Sequence, residues 1–182
     1  MEHKGTRRLE TERLILRPFR VTDAEDMFRN WASDPAVTAY LTWPTHESAA
    51  ASRAVAALWE SESQKPEVYQ WAIELRSIGQ VIGSISVVGI KESVGEAELG
   101  YCIGRRWWGQ GITAEAVKAV IRYLVRDVGF MRICADHDIV NPNSGRVMQK
   151  AGMTREGVLR RAGKNNRGIV DVVQYSILAE EV

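Results

Sequence analysis

Apolar and polar positions along the chain predict a small domain built from a sheet and helices. Leu9 to Arg20 alternates loosely, with Leu14 and Leu16 ahead of Pro18-Phe19, and reads as a first strand stopped by proline. Thr22-Asp23-Ala24-Glu25 approximates a capping box. Thr22 or Asp23 is therefore expected to cap a helix with the apolar stripe Met27, Phe28 and Trp31, which Asp34-Pro35 ends. Ala36 to Thr45 reads as an aromatic connector, and Glu47 to Ser63 as a second helix with Val55, Leu58 and Trp59 on one face. Tyr69 to Leu75, Gln80 to Val88 and Glu96 to Ile103 are strand candidates with short connections and predict an antiparallel meander. Val117, Val120, Ile121, Leu124 and Val128 recur at helical spacing after a start near Ile112. Ile133 to His137 then reads as a strand reached by a crossover, and Asn143 to Ala151 as a short helix ended by Gly152. Thr154 to Arg160 and Ile169 to Leu178 close the chain as a hairpin around the polar loop Lys164 to Gly168.

Length and composition narrow this picture. A chain of 182 residues with 45% hydrophobic content suits one domain, 1–182, with a full core and a flexible N-terminus over 1–8. Twenty-four basic side chains against 23 acidic ones leave a formal charge of +1, which argues against a dedicated nucleic-acid surface or an anionic-membrane binder. The opening residues carry no apolar targeting segment and no stretch is long enough to span a bilayer, so a cytoplasmic protein is expected. Cys102 and Cys134 fall inside apolar runs, where a thiol behaves as a small hydrophobe; neither a disulfide nor a metal site is expected.

The stretch with chemical content is Arg106-Trp107-Trp108-Gly109-Gln110-Gly111, between a strand pattern and a helix pattern. Such a loop exposes backbone N–H groups at the positive end of the helix, where phosphate oxygens bind well. Gly109 and Gly111 allow φ > 0 and close approach of a ligand, and Arg106 adds a fixed positive charge. An ordinary tight connection accounts for the loop equally well. A Walker loop is excluded, because Ile112-Thr113 follows Gly111 where Lys and Ser or Thr would stand, and the dinucleotide fingerprint is absent.

Arg106-x-x-Gly109-x-Gly111 resembles the acetyl-CoA pyrophosphate loop of the GNAT superfamily of N-acetyltransferases, Gln/Arg-x-x-Gly-x-Gly/Ala. Glu98-Leu99-Gly100-Tyr101, Thr113-Ala114-Glu115-Ala116, Asn141-x-x-Ser144, Lys150-Ala151-Gly152-Met153 and the opening Thr11-Glu12-Arg13-Leu14 resemble the branch of ribosomal-protein N-terminal acetyltransferases. The resemblance implies a GNAT fold of the α/β (α+β) class: a mixed, mostly antiparallel sheet of about seven strands flanked by about four helices, with a splayed strand pair at the acetyl-CoA site. It implies that Arg106 to Thr113, namely Arg106, Trp107, Trp108, Gly109, Gln110, Gly111, Ile112 and Thr113, surround the pyrophosphate. The backbone of Tyr101, Cys102 and Ile103, together with Asn141, would bind the pantetheine arm. Ser144 would sit near the sulfur as proton donor. A homodimer is compatible with that branch, and no metal is implied.

Acetyl transfer from a thioester to an amine needs a neutral amine, alignment, stabilisation of the oxyanion and a proton for the thiolate. An α-amine near 7.7–8.0 is roughly one-tenth neutral at pH 7, whereas a lysine near 10.4 must shed about three units, roughly 4 kcal/mol. Glu98 is the candidate base, since alternation sets Glu96, Glu98 and Gly100 opposite Ala97, Leu99 and Tyr101; an ion-pair or surface role is the alternative. Asn141 and Ser144 are also ordinary helix-start residues, and Trp43 suits a core or a substrate wall. His137 and His46 read as structural more readily than catalytic. Two departures from the wider family stand out: Met148 occupies the position of its acidic Tyr, and Ala162-Gly163-Lys164 holds no carboxylate after Glu156-Gly157. The expected function is acetyl-CoA-dependent acetylation of a protein N-terminal amine or a small amine. A xenobiotic or antibiotic amine is an alternative acceptor, and a CoA-binding sensor without catalysis is an alternative role.

Overall fold

In the computed structural model, which describes all of Met1–Val182, the alternating runs become one sheet. Its strands are β1 (Leu9–Glu10), β2 (Leu14–Pro18), β3 (Gln70–Leu75), β4 (Gln80–Lys91), β5 (Glu96–Ile103), β6 (Arg132–Asp138), β7 (Thr154–Asn165) and β8 (Gly168–Leu178). They lie in the order β1-β2-β3-β4-β5-β6-β8-β7. Every neighbouring pair is antiparallel except β5 with β6, which the crossover through a helix makes parallel. The helices are α1 (Ala24–Met27), α2 (Pro35–Thr38), α3 (Ala49–Glu62), α4 (Ile112–Tyr123) and α5 (Pro142–Lys150).

The two faces of the sheet are covered unequally. On one, α4 and α5 lay Val117, Val120, Ile121 and Met148 against Leu16, Ile73, Ile85, Leu99, Ile133 and Tyr175 to form the main core. On the other, Phe19, Met27, Trp31, Val37 and Val81 make a smaller core over the β2 to β4 side. Glu98 and Asp136 stand half-buried on the remainder of that second face. Arg17 anchors this half: its guanidinium donates to Asp23 at 2.8 and 2.9 Å and to Glu74 at 2.7 Å.

Several expectations are corrected by tertiary contacts. The sheet has eight strands, one more than the pattern suggested, because the two-residue β1 pairs with β2. Thr22 and Glu25 do not form the capping box; Asp23 accepts from the Arg20 amide at 2.8 Å while also holding Arg17. Asp34-Pro35 ends one helical run and starts another, with Asp34 accepting from the Ala36 amide at 2.9 Å, so the first part of the connector is α2. The terminal hairpin is longer than expected and leaves only Asn166-Arg167 between its strands. Residues 1–8, expected to be flexible, are tied down: the Gly5 amide donates to Pro66 O at 2.7 Å, Tyr123 Oη to Gly5 O at 2.7 Å, and Trp71 Nε1 to Arg7 O at 2.7 Å.

Candidate active site

The strand entering the site is β5. It pairs with β4 along its whole length but with β6 only from Glu96 to Glu98, opposite Arg132 to Cys134. From Gly100 to Ile103 its outer edge is therefore free of a strand partner, and a cleft opens between β5 and β6. A bulge at Val88 sits beside the parting, and a Cβ on Gly100 would lie 2.8 Å from Val88 Cγ1, so a side chain there would have to push the exposed Val88 aside.

Beyond β5 the chain makes a 3-10 turn, Arg105–Trp107, and reaches α4 through Gly109 and Gly111, both at φ 75°. From Gly109 to Ala114 no backbone amide donates within the protein; the first helical bond is Glu115 N to Gly111 O at 3.1 Å. Six consecutive donors at a helix N-terminus form a cradle for an anion. Its shape is held from behind. Arg13 donates to Gln110 O at 3.0 Å and to Glu115 at 2.6 Å, and Thr11 donates to the same carboxylate at 2.6 Å. Burial raises the Glu115 carboxyl, but these donors outweigh it and hold the group below its ordinary value. Thr11-x-Arg13 and Glu115, remote in the chain, are thus one bracket under the loop. Trp107 is buried in the main core, Trp108 is exposed with Nε1 donating to Ile103 O at 2.9 Å, and Arg106 lies exposed with its guanidinium 5.8 Å from the Trp107 ring centre.

Across the cleft, Asn141 holds the N-cap position of α5, its carbonyl accepting from the Ser144 amide at 3.2 Å while its side chain makes no capping bond. Ser144 lies on the first turn, and Tyr101 reaches it from β5, its hydroxyl 3.0 Å from Ser144 Oγ and 3.1 Å from Ser144 O. Met148 is 1% exposed, sealed in the main core. His137 is packing: Nδ1 donates to Asp138 O at 2.8 Å, and Nε2 would be 2.6 Å from a Cβ on Gly145. His46 is likewise buried, bonded to Ser52 at 2.7 Å.

Glu98 lies on the face opposite Leu99, half-buried, with no hydrogen bond or ion pair. Burial raises its carboxyl and the charge of Asp136 raises it further. Asp136 is also unpaired and is raised by burial. Periodicity passed over Asp136 because only the β5–β6 register sets it two residues beyond Cys134, the partner of Glu98, on the same face. Below them, Lys91, Glu96, Arg132 and Glu156 form an ion-pair chain with contacts of 2.6 Å, which occupies Glu156 structurally. At the Asp138 end of β6 the β7–β8 tip is pinned by hydrogen bonds to α2, the connector after it and β6 itself. Asn166 Nδ2 donates to Thr38 O at 2.8 Å and Trp43 O at 2.7 Å, and Asn165 donates to Asp138 at 2.9 Å. Trp43 is partly buried against the smaller core, as a core residue would be.

A mixed sheet parted between two parallel strands, with an amide cradle at the next helix, defines an acyltransferase fold of the GNAT type. The GNAT acetyltransferase domain family matches residues 13–154, and the chain belongs to that family. It is 31% identical over 173 residues, 95% of this chain and 97% of the other, to a Bacillus licheniformis protein named Uncharacterized N-acetyltransferase p20. A shorter stretch of 59 residues, 32% of this chain and 30% of the relative, is 41% identical to the [ribosomal protein uS5]-alanine N-acetyltransferase of Escherichia coli. Among solved structures, the Microcin C7 self immunity acetyltransferase MccE, in complex with acetyl-CoA and AMP, superposes with a TM-score of 0.81 at 21% identity, covering 92% of this chain and 93% of that one. The protein is an acyltransferase.

Proposed function

We propose that the protein transfers the acetyl group of acetyl-CoA to a primary amine by direct attack in a ternary complex. The observation that carries this reading is the alignment of three features: the partnerless amides from Gly109 to Ala114, the free edge of β5, and the unpaired Glu98 on the opposite face. The amides and Arg106 hold the diphosphate, and the backbone of Tyr101 to Ile103 with Asn141 holds the pantetheine. An amine arriving over Glu98 attacks the thioester carbon, and Glu98 takes its proton directly or through water. As the C–S bond breaks, its electron pair leaves on sulfur, where the Ser144 hydroxyl donates to the thiolate.

An N-terminal α-amine, already partly neutral at pH 7, asks less of a carboxylate base than a lysine near 10.4 does. The partial match to a uS5-alanine acetyltransferase supports a protein N-terminus. A screen for free thiol from acetyl-CoA across peptides with free N-termini, small amines and drug amines tests the proposal. Thiol release with none of them would refute it.

A further inference from the structure

The phenol of Tyr101 bridges the cleft at the point where the leaving sulfur of the proposed reaction would lie. Its oxygen is 3.0 Å from Ser144 Oγ and 3.1 Å from the Ser144 carbonyl. A serine hydroxyl on its own rotates among staggered positions, and at a helix start it is free to turn back to a backbone carbonyl. A phenol carries one proton, so it can donate to the Ser144 carbonyl or to Ser144 Oγ, but not fully to both. When it donates to the carbonyl, its lone pair can accept the Ser144 hydrogen, which then points away from the cleft. When it donates to Oγ, the Ser144 hydrogen is released toward the cleft.

We infer that Tyr101 is a positioning residue for the leaving group: in the structure its phenol donates to the Ser144 carbonyl, and turning that proton onto Oγ releases the Ser144 hydrogen toward the departing sulfur. The inference rests on the N-acetyltransferase reading above. It also accounts for Met148: with that α5 side chain apolar and sealed in the core, the hydroxyl that serves the sulfur is Ser144, one turn earlier on α5 and held from β5 by Tyr101. Burial holds the phenol above its ordinary value, so it stays protonated, and remains a donor, through the range in which an amine can be acetylated. Donation into Oγ strengthens the outgoing Ser144 bond, because linked hydrogen bonds polarise one another. No net proton leaves either residue. Sulfur departs with the electron pair of the C–S bond, stabilised by the Ser144 hydrogen, and collects its proton from water; an alkyl thiol near 8.5 makes that step easy.

Tyr101→Phe keeps the ring and removes only the hydroxyl. The expected result is a kcat about tenfold lower with the acetyl-CoA KM unchanged. Ser144→Ala should lose about as much, and the double variant Tyr101→Phe/Ser144→Ala no more than Ser144→Ala alone, because Tyr101 acts only through Ser144. CoA titration of each variant by calorimetry confirms folding independently of turnover. Additive losses would overturn the inference, as would wild-type kcat in either single variant, or an effect confined to KM. A wild-type protein that binds CoA but turns over no acceptor would remove the acetyl-transfer reading itself, a different failure from an active wild type with an active Tyr101→Phe.

Discussion

Gly111→Ala separates the strain of the cradle from its ligand. Gly111 sits at φ 75°, and a Cβ built there meets only Arg13 Nη2 at 3.7 Å, an ordinary contact. Gly79, in the turn between β3 and β4, sits at φ 61° with nothing within 4 Å of its Cβ. Each substitution forces an L-residue into the left-handed region at about 1–2 kcal/mol. For a chain of this size each should lower Tm by roughly 2–8 °C. Only Gly111 is expected to add a second loss. A methyl group beside the amides would displace at least one amide–phosphate hydrogen bond, worth about 1.5–3 kcal/mol, which weakens CoA about ten- to hundredfold. Calorimetric titration of CoA, alongside thermal unfolding without ligand, measures both quantities on the same samples. If Gly111→Ala and Gly79→Ala bound CoA equally well, the diphosphate would not lie on these amides and the cradle would be an ordinary connection.

Four other outcomes follow from the electrostatics. Glu98→Gln should lower kcat by about two orders of magnitude with CoA affinity intact; an unchanged rate would take Glu98 out of the mechanism. Glu98 works as a base only when ionised, so the rate rises with pH through its raised titration point. Asp136→Asn removes a negative neighbour and favours the ionised form, so the acidic limb of the kcat/KM profile should move to lower pH; a limb that stays or rises refutes the coupling. Arg17→Ala leaves Asp23 and Glu74 without their shared cation, and should cost about 3–5 kcal/mol, lowering Tm by roughly 6–20 °C; thermal unfolding that moves by a degree or two would show the triad to be dispensable. Burial pushes the Cys102 thiol up to about 11 and that of Cys134 up to about 12, so alkylation at pH 8 should be slow in the native protein and fast in urea, read by mass spectrometry.

The amino-acid order by itself determined the strands from Gln70 to Ile103, the start of α4, the terminal hairpin and the glycine loop. These are local: side chains alternate across a strand with period two and recur on a helix about every 3.6 residues, whatever lies elsewhere. The two positive-φ glycines were legible for the same reason, since only a residue without a Cβ takes that conformation freely. Tertiary structure alone decided the rest. Asp23, one of the two expected caps, makes no side-chain bond to α1; its carboxylate turns back to the Arg20 amide and holds the Arg17 guanidinium instead. The meeting of Arg13 with Glu115, of Tyr101 with Ser144, and of Glu98 with Asp136 came from strand order and register. No sequence spacing encodes such encounters, because they depend on how the sheet is threaded, and a crossover of one strand brings together residues that periodicity treats as strangers.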